Sequence, residues 1–144
     1  MGDKMLRISK QVGDQLISHA FEESPNECCG LLLGQDGKDS SKITEISQIT
    51  NIMKSPTRYQ MDPQEYVHAW QEAERRSMDV LACYHSHTRG AEGFSETDRR
   101  LALENGWIDF PFVLVVLHDQ TNPKILAFTV NLSGTVEEIS LQVS

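Results

Sequence analysis

The chain has 144 residues, 39% of them hydrophobic, and carries 21 acidic against 13 basic residues for a formal charge of −8. That length suits one packed domain over residues 1–144 and is short for two, while an acidic balance without a basic block argues against nucleic acid as a partner. No apolar run approaches a bilayer-spanning length and residues 1–7 lack a signal-peptide pattern, so no membrane partner is expected and the expected location is cytoplasmic.

Ser9 is placed to cap a first helix with Val12, Leu16, Ile17, Ala20 and Phe21 on its inner side, ending near Ser24 and Pro25. Residues 29–34 and 42–50 read as strands joined by a turn around Asp36 and Gly37. They make a hairpin with Glu27 at its start, expected beside the strand that holds His85 and His87. Cys28 and Cys29 are adjacent and would point to opposite faces of a strand. With only Cys83 besides, a disulfide framework is not expected. Asp62, Pro63, Gln64 and Glu65 resemble a capping box with proline at the first helical position, followed by an apolar stripe of Tyr66, Val67, Trp70 and Ala73 that ends near Arg76 and Ser77. Residues 80–84 are apolar and read as a buried strand. The strand period of two then puts His85 and His87 on one face. A glycine-containing loop leads to Ser95, which opens a helix ending at Gly106. The last third reads as strands at 112–118, 125–131 and 135–143, separated by turns at 121–123 and 133–134. The class is α/β in mixed order, one domain with a mainly antiparallel sheet flanked by helices.

The chemistry concentrates between His85 and Asp98, where two imidazoles, the Ser95 hydroxyl and the Asp98 carboxylate fall close together in sequence. Two His and one carboxylate leave a fourth tetrahedral position of Zn²⁺ open, as in catalytic rather than structural zinc sites. Zinc lowers the pKa of its water, yet a general base is still required, and a carboxylate from elsewhere in the chain should supply it. Each feature has a plainer reading. An H-x-H pair can simply hydrogen-bond along a strand, and Ser95 with Asp98 can cap a helix with no metal involved. Cys83 shares the His face, where it is either a fourth ligand that would close the site or a small buried hydrophobe, and the second is favoured. Cys29 makes a poor nucleophile in an apolar strand. His19, His68 and His118 have no partners at ligand spacing and receive no role. Arg58 and Arg89 each offer a planar fork of donors to a substrate carboxylate, or are simply solvated.

H-x-H, seven residues and S-x-x-D, with an upstream Glu, resemble the motif of the JAMM (MPN-domain) zinc metalloprotease family. The upstream Glu fits at Glu27, followed by Cys28, Cys29 and Gly30 and an apolar run to Gly34. The resemblance covers nearly the whole chain. It implies the JAMM/MPN (cytidine-deaminase-like) fold and one Zn²⁺ per chain, with His85, His87 and Asp98 as ligands, Glu27 as general base and Ser95 helping to stabilise the oxyanion. Without that resemblance Glu27 reads as a solvated acid between helix and strand. The stretch from Asn51 to Tyr59, Asp62 after it, and Tyr84 to Thr88 are most similar to small bacterial members of the Mec type. These release an amino acid, typically cysteine, from the C-terminus of a ubiquitin-like sulfur-carrier protein. Hydrolysis after the carrier's Gly-Gly, through a peptide or isopeptide bond, is therefore the implied function and the carrier the implied partner. The alternatives are a zinc peptidase or amidase acting on other small peptides, and a catalytically silent MPN scaffold. The loop from Gly90 to Gly93 is a further candidate for specificity.

Overall fold

The computed structural model describes residues 5–90 and 93–144. In chain order its elements are β1 (Met5–Ile8), α1 (Lys10–Glu23), β2 (Cys29–Asp36), β3 (Ser40–Ile49), α2 (Pro63–Arg75), β4 (Asp79–His87), α3 (Glu96–Glu104), β5 (Phe112–Val116), β6 (Lys124–Val130), β7 (Val136–Glu138) and β8 (Leu141–Val143). The strands form one mixed sheet in the order β7-β6-β5-β4-β2-β3-β1-β8. The β2–β3 hairpin lies against β4, antiparallel at both contacts. The β4–β5 pair is parallel, and a parallel pair needs a crossover, which α3 supplies.

Strand alternation divides the core into two layers. On one side Val12, Leu16 and Ala20 of α1 pack against Leu32, Ile43, Tyr84, Val113 and Val115. On the other, Ala69 and Ala73 of α2 and Ala102 of α3 meet Leu31, Leu33, Cys83 and Phe112. His85 and His87 follow Cys83 on β4 at the strand period, so they lie on the side covered by α2 and α3.

Five local expectations are corrected, the first on α1, where Phe21 is 40% exposed rather than on the inner side. A strand, β1, precedes the first helix, and it runs parallel to β3 and β8. The stretch 135–143 is two strands, because it changes partners midway. Ile139 N donates to Ala127 O at 2.9 Å and Leu6 N donates to Ser140 O at 3.0 Å, so these two residues join opposite edges of a curled sheet. On α2 the inner face belongs to Ala69 and Ala73, while Val67 and Trp70 are 52% and 38% exposed. Small residues let that helix approach the sheet closely, which turns its bulkier neighbours outward. The α2 cap is also one-sided. Asp62 Oδ1 accepts from Gln64 N and Glu65 N, but Glu65 turns back to accept from Thr50 N, and Asp62 N is taken by Thr50 O.

Candidate metal centre

β4 is a central strand on which His85 pairs on both sides, with Cys29 of β2 and Leu114 of β5, and His87 pairs with Val116 of β5. Its imidazoles are therefore carried on a backbone held from two directions, and His85 is fully buried. α3 brings the carboxylate. Ser95 is its N-cap in extended conformation, and its Oγ accepts from Asp98 N at 3.0 Å while Asp98 Oδ2 accepts from Ser95 N at 3.0 Å, a complete capping box. The same Oδ2 lies 3.1 Å from His85 Nε2 and 3.1 Å from His87 Nε2. Capping and facing the imidazoles thus fall to one oxygen, whose two lone pairs can serve both.

Glu27 reaches this place from the segment between α1 and β2. Its backbone is clamped by the loop that follows β3: Glu27 N donates to Ser55 O at 2.8 Å and Asn51 Nδ2 donates to Glu27 O at 2.9 Å. The next residue is tied to β4, since Cys28 N donates to Ser86 Oγ at 2.8 Å and Ser86 N to Cys28 O at 3.1 Å. Thr88 Oγ1 adds a hydrogen bond to Pro25 O at 2.8 Å. The side chain is 4% exposed, and a Glu27 oxygen and one nitrogen each of His85 and His87 all lie within 4.8 Å of one another. Desolvation raises the Glu27 pKa to about 7, against the pull of His85 and His87 and with a smaller push from Asp98. For Asp98 burial acts the same way and is outweighed, because the two imidazoles hold its carboxyl well below the usual carboxylate range.

These donors fit a divalent metal on their own chemistry. His85 Nδ1 and Nε2 are buried without a hydrogen-bond partner among the described residues, although Nε2 faces Asp98 Oδ2 at 3.1 Å. A nitrogen that near a carboxylate without hydrogen-bond alignment leaves both atoms able to share a cation, whereas His87 Nε2 hydrogen-bonds the same oxygen. The separation is close to the edge of about 3.3 Å in a tetrahedron with bonds of roughly 2.0–2.1 Å. Ligand imidazoles usually donate their other nitrogen to an outer partner. His85 is supported instead by the Tyr59 ring, stacked at 4.5 Å between centroids and 20° between planes.

The structure brings together Glu27, His85, His87, Ser95 and Asp98, residues spread over some seventy positions of sequence. Arg58 and Arg89 are both exposed; Arg58 lines a cavity next to the site. Of the glycine loop, Ala91 and Glu92 lie outside the described residues. Cys83 packs with Ala102 and Phe112, and burial raises its thiol pKa well above the usual value, as it does for Cys28 and Cys29. His68 and His118 are exposed, whereas His19 is buried and shares a 2.8 Å hydrogen bond with Tyr84 OH. Asn51, Tyr59, Ser86 and Thr88 fall within the stretches that carried the resemblance, but the sequence reading gave none of them a positioning role. For Asn51 there was also a local signal, a polar residue just past a strand before a run of turn formers. Its Oδ1 accepts from Met53 N and Gln60 N while its Nδ2 reaches Glu27 O and Arg58 O.

Residues 9–130 match the family model described as prokaryotic homologs of the JAB domain. The chain is similar to the CysO-cysteine peptidase of Mycobacterium tuberculosis, 30% identical over 139 residues that cover 96% of this chain and 91% of that protein. It is also similar to the desampylase of Haloferax volcanii, 30% identical over 113 residues, 75% of this chain and 80% of that one. A solution structure of a protein from Desulfitobacterium hafniense superposes with a TM-score of 0.85 at 26% identity, covering 97% of this chain and 93% of the other.

Proposed function

The chain belongs to the family of prokaryotic JAB-domain proteins, and from that premise we propose that it is a zinc peptidase that hydrolyses the bond after the C-terminal Gly-Gly of a ubiquitin-like sulfur-carrier protein. Residues 1–144 make up the single catalytic domain in this reading. The observation that carries it is the convergence of His85 Nε2, His87 Nε2 and Asp98 Oδ2 at 3.1 Å, with the buried Glu27 carboxylate beside them. The relatives support the substrate class by their names, a CysO-cysteine peptidase and a desampylase.

His85, His87 and Asp98 would hold the metal, leaving Glu27 as the carboxylate with no closer task. When bound, Zn²⁺ supplies Lewis-acid polarisation of the scissile carbonyl and lowers the pKa of water. Glu27 accepts the proton of the attacking water and delivers it to the leaving amine. A base poised near neutral pH suits both transfers, and burial moves Glu27 toward that range. Ser95 Oγ accepts from Asp98 N, so its own proton remains to be donated to the developing oxyanion. The Asp98 oxygen that accepts from Ser95 N is oriented by that bond, as outer hydrogen bonds orient metal ligands.

The direct test is incubation with a sulfur carrier extended by one cysteine after its Gly-Gly, read by mass with and without chelator. Chelator-sensitive loss of the cysteine is expected; an intact carrier beside zinc-loaded protein would overturn the reading. Asp98→Asn is expected to weaken zinc binding by more than the roughly 10–100-fold that outer-shell changes cost. Its amide oxygen still accepts from Ser95 N, so the helix cap should persist, while the metal-free protein loses the attraction of the carboxylate to the two imidazoles and should melt somewhat lower at neutral pH. Metal content after dialysis against graded zinc buffers measures this, and undiminished affinity would remove Asp98 from the ligand set.

A further inference from the structure

A cavity of about 550 Å³ opens beside the metal centre. Two lining residues place it next to the site. Tyr59, stacked on His85, forms one wall, and Cys83, two residues before His85 on the same face of β4, contributes to the lining. Met61, Tyr66, Trp107 and Phe112 are also in the lining, as are two charged side chains of opposite sign, Arg58 and Glu104. The rings support one another, Trp107 lying 6.1 Å from Tyr66 and 5.9 Å from Phe112 between centroids, so the walls are built before any ligand arrives.

A tail ending in glycines has no side chain to fill such a space. The volume lies within the roughly 300–1,000 Å³ of pockets that hold small molecules. Aromatic and thioether walls suit an aliphatic, aromatic or sulfur-containing side chain, and a guanidinium offers paired donors to a carboxylate. We infer that this cavity receives the residue the enzyme releases, an α-amino acid with an apolar or thioether side chain whose free carboxylate meets Arg58. The inference rests on the carrier-peptidase reading and deepens it: the enzyme trims one C-terminal residue and selects it by side chain and by terminal charge. A lysine held through an isopeptide bond presents neither feature.

The test is kcat/KM on a carrier extended after Gly-Gly by Met, Leu, Phe, Asp or Lys, and by Met with its carboxylate amidated. Met, Leu and Phe are expected to exceed Asp and Lys by at least about tenfold, the scale on which pocket contacts discriminate. Amidation should cost a similar factor, and Arg58→Gln should abolish the difference between acid and amide. Leu101→Trp, which narrows the same cavity, should erode the preference for Met over Asp. Cleavage of every carrier at similar rates would overturn the inference while leaving the carrier-peptidase reading intact. A readout independent of cleavage is available because the chain has two tryptophans and only Trp107 lines this cavity. In Trp70→Phe protein, free methionine is expected to change Trp107 emission saturably, and methioninamide to do so more weakly. No response to methionine overturns the inference even if no carrier is cleaved.

Discussion

Glu27→Gln is expected to lower turnover of an extended carrier by about 10²–10⁴-fold, the usual contribution of a positioned acid–base group, with zinc content unchanged. The glutamine keeps the shape and the backbone clamps from Ser55 and Asn51 but can no longer take a proton. Because a Glu27 oxygen also falls within 4.8 Å of nitrogens of His85 and His87, the same variant separates two roles: zinc lost together with activity would make Glu27 a ligand, and unchanged turnover would remove it from the mechanism. The variant carries a pH signature as well. Burial raises the Glu27 pKa from 4.5 to about 7 in the metal-free fold. The unfolded chain therefore releases this proton first, and the stability present below about pH 4.5 is lost as pH rises through about 7. Chelated Glu27→Gln protein is thus expected to melt above chelated wild type at pH 8 and level with it at pH 4, as followed by thermal unfolding. A gain at pH 4 instead would show that the carboxylate is not being held neutral by burial.

Gly30→Ala is expected to cost about 1–3 kcal/mol or more, the range for overpacking a filled core. Gly30 lies opposite Tyr84 across the β2–β4 pair, and a methyl there would sit 2.5 Å from Tyr84 Cε1 and closer still to the Ser47 carbonyl oxygen. Neither neighbour can yield cheaply. The ring is buried and its hydroxyl is bonded to His19 Nδ1, while the carbonyl belongs to the paired strand β3. Tyr84 immediately precedes His85, so any shift of β4 that relieved the clash would move the imidazoles with it. Thermal unfolding should show a drop on the order of 10 °C, converted at a few degrees per kcal/mol for a domain of this size, with weaker metal binding alongside. An unchanged midpoint would mean that the ring can move aside and that this contact does not hold β4 in place.

Most of the element plan was legible because it depends on local pattern. The 3.6 period of Val12, Leu16 and Ala20, the Ser9 and Ser95 caps, and the alternation that turns His85 and His87 to one face are properties of neighbouring residues. Where reading failed, long-range pairing had overruled local preference. Residues 5–8 are too short to announce a strand and become one because β3 and β8 pair with them on both sides, and the strand read over 135–143 breaks where the chain passes from β6 to β1. Val67 and Trp70 have the spacing of an inner stripe, yet the close approach of α2 through Ala69 and Ala73 leaves them outside.

The site divides along the same line. The sequence alone specifies which residue types are present and at what spacing, and an H-x-H strand followed by a capped S-x-x-D helix is enough to identify two imidazoles and a carboxylate as candidate metal ligands. Only the tertiary structure brings Glu27 to that cluster across more than fifty residues, lays Tyr59 on His85, and opens a cavity between the loop after β3 and α3. Spacing within one element is set by backbone geometry, which is the same in every protein; proximity between elements depends on how the whole core packs, and no local pattern encodes it.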